Sequence, residues 1–368
     1  MIWLAIPALA ATAYYCLALV AAARWRLGRW EAGSQGASPP VSILKPVHGR
    51  DPRFYEAILS HARQQHPEFE ILFGVGSADD PALVDIERVR REFPNLRIEV
   101  CVVRSMAPNA KVGVLAELAR LARHPVLLVN DSDIVVEPGY LRAVTAPLAD
   151  PAVGLVTCLY RAGAESWPSR AEALGIATEF APSVLVARLL GVAEFALGST
   201  MVFRAETLAQ IGGFAAIADY LADDYQLGVH ISRLGKRIVF APVVVETNLG
   251  AATFGETWRH QLRWSRTIRV SRASGYYGYV VTHATMWGLV AVAAGHGRIG
   301  WLALVVRMLA GMWIGAGILG DGKVRSDFWM IPLRDLFGFA VWAAGLFGDT
   351  VQWRDRRLKL RADGRIVE

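Results

Sequence analysis

The segment Val126-Leu127-Leu128-Val129-Asn130-Asp131-Ser132-Asp133 runs from four apolar residues directly into two acids spaced i, i+2. An apolar run without alternation is the pattern of a strand buried on both faces, as in a parallel sheet. An open α/β sheet places its ligand crevice at the carboxyl ends of such strands. Two carboxylates there can act on one hard cation, and Mg²⁺ prefers one or two carboxylates completed by phosphate oxygens. The same pair also suits an N-cap or Asx-turn after a strand. Spacing alone leaves both uses open.

The surrounding segments define the sheet. Upstream come strands at 41–44, 70–75 and 97–103, alternating with helices at 52–65, 81–92 and about 110–123; a further strand is expected at 153–159. Strand–helix alternation predicts an α/β fold with a parallel, doubly wound sheet.

The flanks have a different composition. The chain of 368 residues is 54% hydrophobic and only 20% charged, and its mean hydropathy is +0.31. A soluble enzyme of this length usually carries more charge, so membrane segments are expected. Residues 2–23 carry no charge and are followed at once by Arg24, Arg26 and Arg29. About 20 such residues span a bilayer core. A signal peptide places its charges before the apolar run, so a retained N-terminal transmembrane helix is expected, its C-terminal side cytosolic by the positive-inside rule. Residues 31–40 suggest a flexible linker. Residues 276–294 and 299–319 predict a spanning helical hairpin, with Arg307 inside its second helix facing protein or snorkelling. The short stretch 336–348 suggests a re-entrant or interfacial segment, keeping the basic tail cytosolic. The run 183–203 contains Arg188 and Glu194, which argues for a core or interfacial segment rather than a span. The expected organisation is a transmembrane helix (1–23), a basic linker (24–40), a cytosolic catalytic domain (41–270), membrane helices (271–350) and a basic tail (351–368).

The net charge of +6 lies in Lys and Arg residues beside apolar runs, with no nucleic-acid motif. It fits membrane flanking and no nucleic-acid partner. The three scattered cysteines, Cys16, Cys101 and Cys158, imply neither a disulfide framework nor a metal spacing.

Other residues could join the acid pair. Asp79-Asp80-Pro81 suits a helix start or a carboxylate on a base or ribose. Asp223-Asp224 could be the acidic first turn of a helix at 224–234 or supply a general base for an acceptor hydroxyl. Lys111, opening a helix with Asn109, and Lys45, after the first strand, could counter phosphate charge or sit on the surface. Trp258 to Arg266 reads as a basic, aromatic helix, fit for phosphate oxygens or for a membrane interface.

The order of these pieces resembles the ceramide glucosyltransferase family, and hopanoid-associated glycosyltransferases nearby. The matching residues are Ser42-Ile43-Leu44-Lys45-Pro46, Asp79-Asp80-Pro81-Ala82, Asn109-Ala110-Lys111-Val112, Asp131-Ser132-Asp133, Leu221-Ala222-Asp223-Asp224-Tyr225, Arg263-Trp264 and the tail from Gln352. The resemblance implies a GT-A (nucleotide-sugar-binding, Rossmann-like) domain with membrane helices at both ends. It implies catalytic Asp224 as base, Asp131 and Asp133 on a Mg²⁺ or Mn²⁺ ion, and substrate contacts from Asp80, Lys45, Asn109, Lys111, Asp223, His260, Arg263 and Trp264. His260 stands where the family's (Gln/Arg)-x-x-Arg-Trp motif has Gln or Arg. The implied activity is inverting transfer of a hexose from a UDP-sugar donor to a lipid acceptor, ceramide or a similar lipid, by a multi-pass protein with a cytoplasmic catalytic domain, expected in a bacterial inner membrane. A hopanoid acceptor, a processive polysaccharide synthase and a non-catalytic scaffold or transporter are the alternatives. The synthase would need a larger membrane bundle.

Overall fold

The computed structural model describes residues 2–31, 38–353 and 356–367. Residues 32–37, the centre of the expected linker, and residues 354–355 of the basic tail lie outside the described residues. In chain order the elements begin with α1 (Ile6–Glu31), β1 (Val41–Val47), α2 (Phe54–Ala62), β2 (Phe69–Val75), α3 (Leu83–Glu92), β3 (Arg97–Val102), α4 (Ala110–Leu121), β4 (Val126–Val129) and α5 (Tyr140–Thr145). There follow β5 (Val153–Gly163), α6 (Trp167–Gly175), α7 (Ala181–Leu189), β6 (Met201–Arg204), α8 (Ala205–Gln210), α9 (Asp223–Arg233), β7 (Arg237–Asn248) and α10 (Phe254–Ser271). The chain closes with α11 (Ala273–Gly278), α12 (Ala284–Ala293), α13 (Gly297–Met312), α14 (Lys323–Asp327), α15 (Ile331–Gly345), β8 (Thr350–Trp353), β9 (Arg356–Leu360) and β10 (Ile366–Val367). These form two compact units. One holds residues 32–159 and 193–248, the other residues 1–31, 160–192 and 249–367.

The first unit is built on a seven-stranded sheet in the order β3-β2-β1-β4-β6-β5-β7. β1 pairs in parallel with β2 and β4, and β2 with β3. The sheet then turns antiparallel, since β6 runs opposite to both β4 and β5. β1 and β4 are buried along almost every position, as central strands covered on both faces must be. Leu44, Leu72, Leu115, Leu118, Leu127, Phe203 and Leu227 share one core cluster. At the sheet's amino edge the buried Glu70 accepts hydrogen bonds from Ser42 Oγ (2.5 Å), the Arg123 amide (2.8 Å) and the Arg97 guanidinium. A buried carboxylate so satisfied holds β1, β2 and β3 in register.

The second unit is helical and apolar. Two of its helices, Ile2–Gly28 and Gly297–Ile318, are long and apolar enough to cross a membrane. α1, α12 and α13 meet through Ala8, Ala291 and Ala303, all fully buried. Small side chains let helices approach closely where lipid offers no hydrophobic drive to associate. Arg307 is fully buried and donates to Asp335 through Nε (2.9 Å) and Nη2 (2.6 Å). It therefore faces protein, and the snorkelling alternative falls away. Arg334 pairs with Glu179 at 3.1 Å.

Several expectations need correction. The run 183–203 is not one segment: it spans most of α7 and ends in β6, whose pairing with β4 turned the sheet antiparallel. The stretch 276–294 is not a continuous span. It breaks at His283, leaving α12 as a ten-residue helix. The stretch 336–348, expected as a re-entrant or interfacial segment, falls largely in a helix that begins earlier, at Ile331, and takes in Arg334 and Asp335, both buried with partners. The basic tail is no featureless run: β8, β9 and β10 form an antiparallel sheet, with Leu358 and Leu360 buried between charged neighbours.

Candidate active site

The loops after β1, β2 and β4 leave the same carboxyl edge of the parallel sheet. β4 ends at Val129, and the buried Asn130 amide donates to His61 Nε2 (2.8 Å), which fixes the start of the turn. Ser132 then donates to Asp51. Asp133 Oδ2 accepts from the Thr247 hydroxyl and from the Asn248 amide (3.1 Å). Val135 and Glu246 exchange backbone bonds of 2.7 and 3.1 Å. The acidic turn is thereby fastened to the end of β7.

Lys111 anchors the cluster. Its Nζ lies 2.9 Å from Asp131 Oδ1 and 3.2 Å from Asp223 Oδ2. Burial opposes its charge, but Asp131 and Asp223 outweigh that and hold the ammonium well above its usual range. Lys45 lies inside β1 and is fully buried, its Nζ donating to the Asp131 carbonyl at 3.2 Å. Desolvation brings its ammonium down to about 7 despite Asp133 and Asp131 nearby. Neither lysine is a surface residue. Lys45 needs burial on both faces of β1, which a two-faced apolar strand imposes on every side chain it carries.

Asp224 begins α9. Its Oδ1 accepts from the Tyr225 amide (2.7 Å) and its Oδ2 from the Gly198 amide (2.9 Å). Desolvation, then the adjacent Asp223, raise the carboxyl to about 6, against the lowering effect of Lys111. Gly198 is a site residue that sequence reasoning missed. A Cβ on it would lie 3.3 Å from Asp224 Oδ2 and 3.5 Å from Asp131 Oδ2, so this one backbone position touches both acids. Gly228 explains how α9 reaches it: a Cβ there would meet the backbone of Phe195 and Ala196 at 2.8 Å, so only glycine lets the helix lie on that segment. Neither glycine carries a pattern recognisable in sequence, because each is defined by a partner distant along the chain.

Asp80 lies on the same edge of the sheet. Its Oδ2 accepts from the Gly49 amide and its Oδ1 from the Ala82 amide, both at 2.9 Å. Asn109 caps α4, its Oδ1 accepting from the Val112 amide (3.2 Å) and its Nδ2 donating to the Tyr220 carbonyl (2.8 Å). Fully buried, its side chain ties the segment before α9 to the helix that carries Lys111.

The donor set suits a hard cation. Asp131 Oδ2 and Asp133 Oδ1 have no hydrogen-bond partner among the described residues. Desolvation, then the neighbouring Asp131, hold the Asp133 carboxyl above its usual range, against the lowering effect of its bonds from Thr247 and Asn248. No group of three or more His, Cys, Asp or Glu is arranged for a metal among the described residues. A cation here would therefore complete its shell with substrate and water oxygens, the usual manner of Mg²⁺.

His260, Arg263 and Trp264 belong to the helical unit, on α10. The His260 ring lies 4.8 Å from that of Trp264. Trp264 packs against a cluster of Ala162, Ala164, Ala173 and Ile176, beside Tyr160 and Phe180. His260 Nδ1 donates to the buried Glu172 at 2.5 Å, a second contact that sequence reasoning missed.

A mixed sheet of this order, with acids at the carboxyl ends of its parallel strands, is an α/β fold whose ligand crevice lies at that edge. The chain belongs to glycosyl transferase family 21, whose family model matches residues 3–366; this is the ceramide glucosyltransferase family. It is similar to ceramide glucosyltransferase 1 of Caenorhabditis elegans, 26% identical over 229 residues, 61% of this chain and 49% of that protein. Ceramide glucosyltransferase 3 of the same organism is 23% identical over 353 residues, 89% of this chain and 74% of that protein. The chain thus spans about half and about three quarters of these relatives. Its fold is shared with the mannosyltransferase PcManGT from Pyrobaculum calidifontis, solved in complex with GDP-Man and Mn²⁺. The two are 18% identical with a TM-score of 0.53, covering 94% of this chain and 99% of that one.

Proposed function

We propose that the protein is a membrane-bound inverting glycosyltransferase that moves a hexose, glucose in the first instance, from a UDP-sugar to the hydroxyl of ceramide. The observation that carries this is the convergence of Asp131 and Asp224 on Gly198, with Lys111 ion-paired to Asp131 and Asp223. It gives a family 21 chain both an anionic face for a cation–diphosphate and a separate carboxylate for a hydroxyl.

Asp224 is the general base. Each of its oxygens accepts one backbone hydrogen bond, leaving a lone pair free. Its raised affinity for protons brings it nearer to the operating pH, where a base works best. It takes the proton of the lipid hydroxyl as that oxygen bonds to the anomeric carbon and the bond to UDP breaks. Attack from the face opposite the leaving group turns an α-linked donor into a β-glycoside. Asp131 and Asp133 would hold Mg²⁺ or Mn²⁺. When bound, the ion neutralises charge on the departing diphosphate. Lys111 keeps Asp131 and Asp223 together at the start of α9. Asp80 orders the loop after β2 for the nucleoside. Arg263 and Trp264 are assigned to substrate on their motif. The apolar helices keep the enzyme beside an acceptor that leaves the bilayer at high cost, with the sheet unit on the cytosolic side.

The test is a panel assay. Purified enzyme receives UDP-glucose, UDP-galactose and UDP-N-acetylglucosamine with ceramide, diacylglycerol and a hopanoid, with EDTA, Mg²⁺ or Mn²⁺. Cation-dependent transfer to ceramide supports the proposal. Transfer only to a hopanoid moves the acceptor class, and no transfer to any lipid refutes it.

A further inference from the structure

We infer that Glu172 is a positioning residue that aims His260 at a substrate oxygen, so that the two side chains together occupy the place of the single Gln or Arg expected at that position. The inference rests on the proposed assignment of α10 to the substrate.

Both helices that carry the pair start from one knot. α6 opens with the Ser166 cap, and α10 opens with a Thr253–Glu256 capping box. Ser169 Oγ donates to the Gly250 carbonyl (2.8 Å), and Ser166 Oγ accepts from the Ala252 amide (3.0 Å). The first turn of α6 is thus bonded directly to the residues that lead into α10. With both starts joined, the positions of Glu172 and His260 two turns along are set relative to one another. Farther along the pair of helices, Gln261 accepts from Arg334 (3.0 Å), which fixes the rotation of α10.

Glu172 is 3% exposed, and the one hydrogen bond to its carboxyl among the described residues comes from His260 Nδ1. Burying a carboxylate costs free energy that its partners must offset, and here the imidazole is the one side-chain partner among the described residues. With Nδ1 as donor to Glu172, the proton is located on that nitrogen and the ring orientation is locked. Nε2 is left as the working atom. It has no hydrogen-bond partner among the described residues, on a side chain that is 33% exposed. The ring is held from its flank by Trp264, itself packed beside Phe180. With the proton on Nδ1, Nε2 at the rim of this aromatic surface is an acceptor, which suits a hydroxyl of the sugar or of the lipid's polar head. A free histidine at this position would be too loosely oriented to replace a Gln or Arg; Glu172 supplies the missing constraint.

The test compares E172A with E172Q in the full-length protein, with KM for UDP-sugar and for lipid measured separately and melting temperature recorded. A Gln oxygen still accepts from Nδ1, and an Ala does not. Positioning predicts that E172A lowers kcat/KM by about tenfold or more, as misplacement of a substrate contact does, and that E172Q recovers most of it at similar melting temperatures. The KM that rises tells whether the oxygen belongs to donor or to acceptor. If E172A does not accumulate, E172D replaces it, since a carboxyl withdrawn by one methylene is expected to lose the bond too. Unchanged activity in E172A or E172D, or E172Q doing no better than either, overturns the inference. Absence of transfer by the unmodified enzyme instead refutes the proposed function, so the two failures are distinct.

Discussion

Gly198 donates its backbone N–H to Oδ2 of Asp224 across 2.9 Å, and a Cβ at this position would press on the same oxygen. The bond orients the carboxylate without consuming both lone pairs of that oxygen. A methyl group at this position would stand 3.3 Å from Asp224 Oδ2, tight enough that this carboxylate gives by a few tenths of an ångström, and 3.5 Å from Asp131 Oδ2, an ordinary contact. G198A is expected to fold and insert normally yet to lower kcat by about tenfold or more, because a base displaced by a fraction of an ångström loses its alignment. Steady-state kinetics beside a melting curve check this. Wild-type kcat in G198A would show that the contact is incidental.

Asp224 itself links activity and stability. D224N should lower kcat by about 10²–10⁴-fold, the usual worth of a positioned acid or base, while UDP binding persists by calorimetry. The sign of the stability effect follows from the raised carboxyl. Burial penalises the ionised form in the fold, so its cost is absent below the ordinary carboxylate range and complete above about 6. D224N is therefore expected to raise stability at pH 8 by about 1–3 kcal/mol and to leave it nearly unchanged at pH 4. Wild-type kcat should fall with an acid limb near 6, as the base becomes protonated.

Lys111 is the counter-charge of the same cluster. K111M removes the ammonium from Asp131 and Asp223, and with it a lowering influence on Asp224. The acid limb of the pH–rate profile should then move upward and UDP-sugar KM should rise. A limb left in place would mean that Lys111 does not govern the charge of the base.

In the helical unit, the Arg307–Asp335 pair is buried with both of its bonds direct. R307M strands a carboxylate among apolar helices and is expected to cost about 3–5 kcal/mol, whereas R307M/D335L should cost less than R307M alone. Thermal unfolding in detergent separates the two cases. Equal losses would show that the charge is not what destabilises.

Much of the sheet unit was legible because its strands are short, largely apolar runs: the expected strands at 41–44, 70–75 and 97–103 and the run at 126–129 fall on β1, β2, β3 and β4. β6 was not, because Met201–Arg204 is only four residues long and joins an apolar run whose other half is helical. The acids of the site announce themselves as Asp131-Ser132-Asp133 and Asp223-Asp224. Gly198, Glu172 and Thr247 do not, since each matters only through a residue far away in the chain. Lys45 could be located but not understood: its burial depends on β2 and β4 pairing on either side of β1. The break at His283 escaped notice because hydropathy is continuous through residues 276–294 and takes no account of the backbone.

The account stands on the stereochemistry of transfer to a lipid hydroxyl. The most direct measurement is NMR of the glycolipid formed from UDP-glucose and ceramide by the purified enzyme in nanodiscs, with D224N in parallel. A β-linked glucosylceramide from the unmodified enzyme, and almost none from D224N, is the predicted result. An α-linked product, or equal product from D224N, would contradict it.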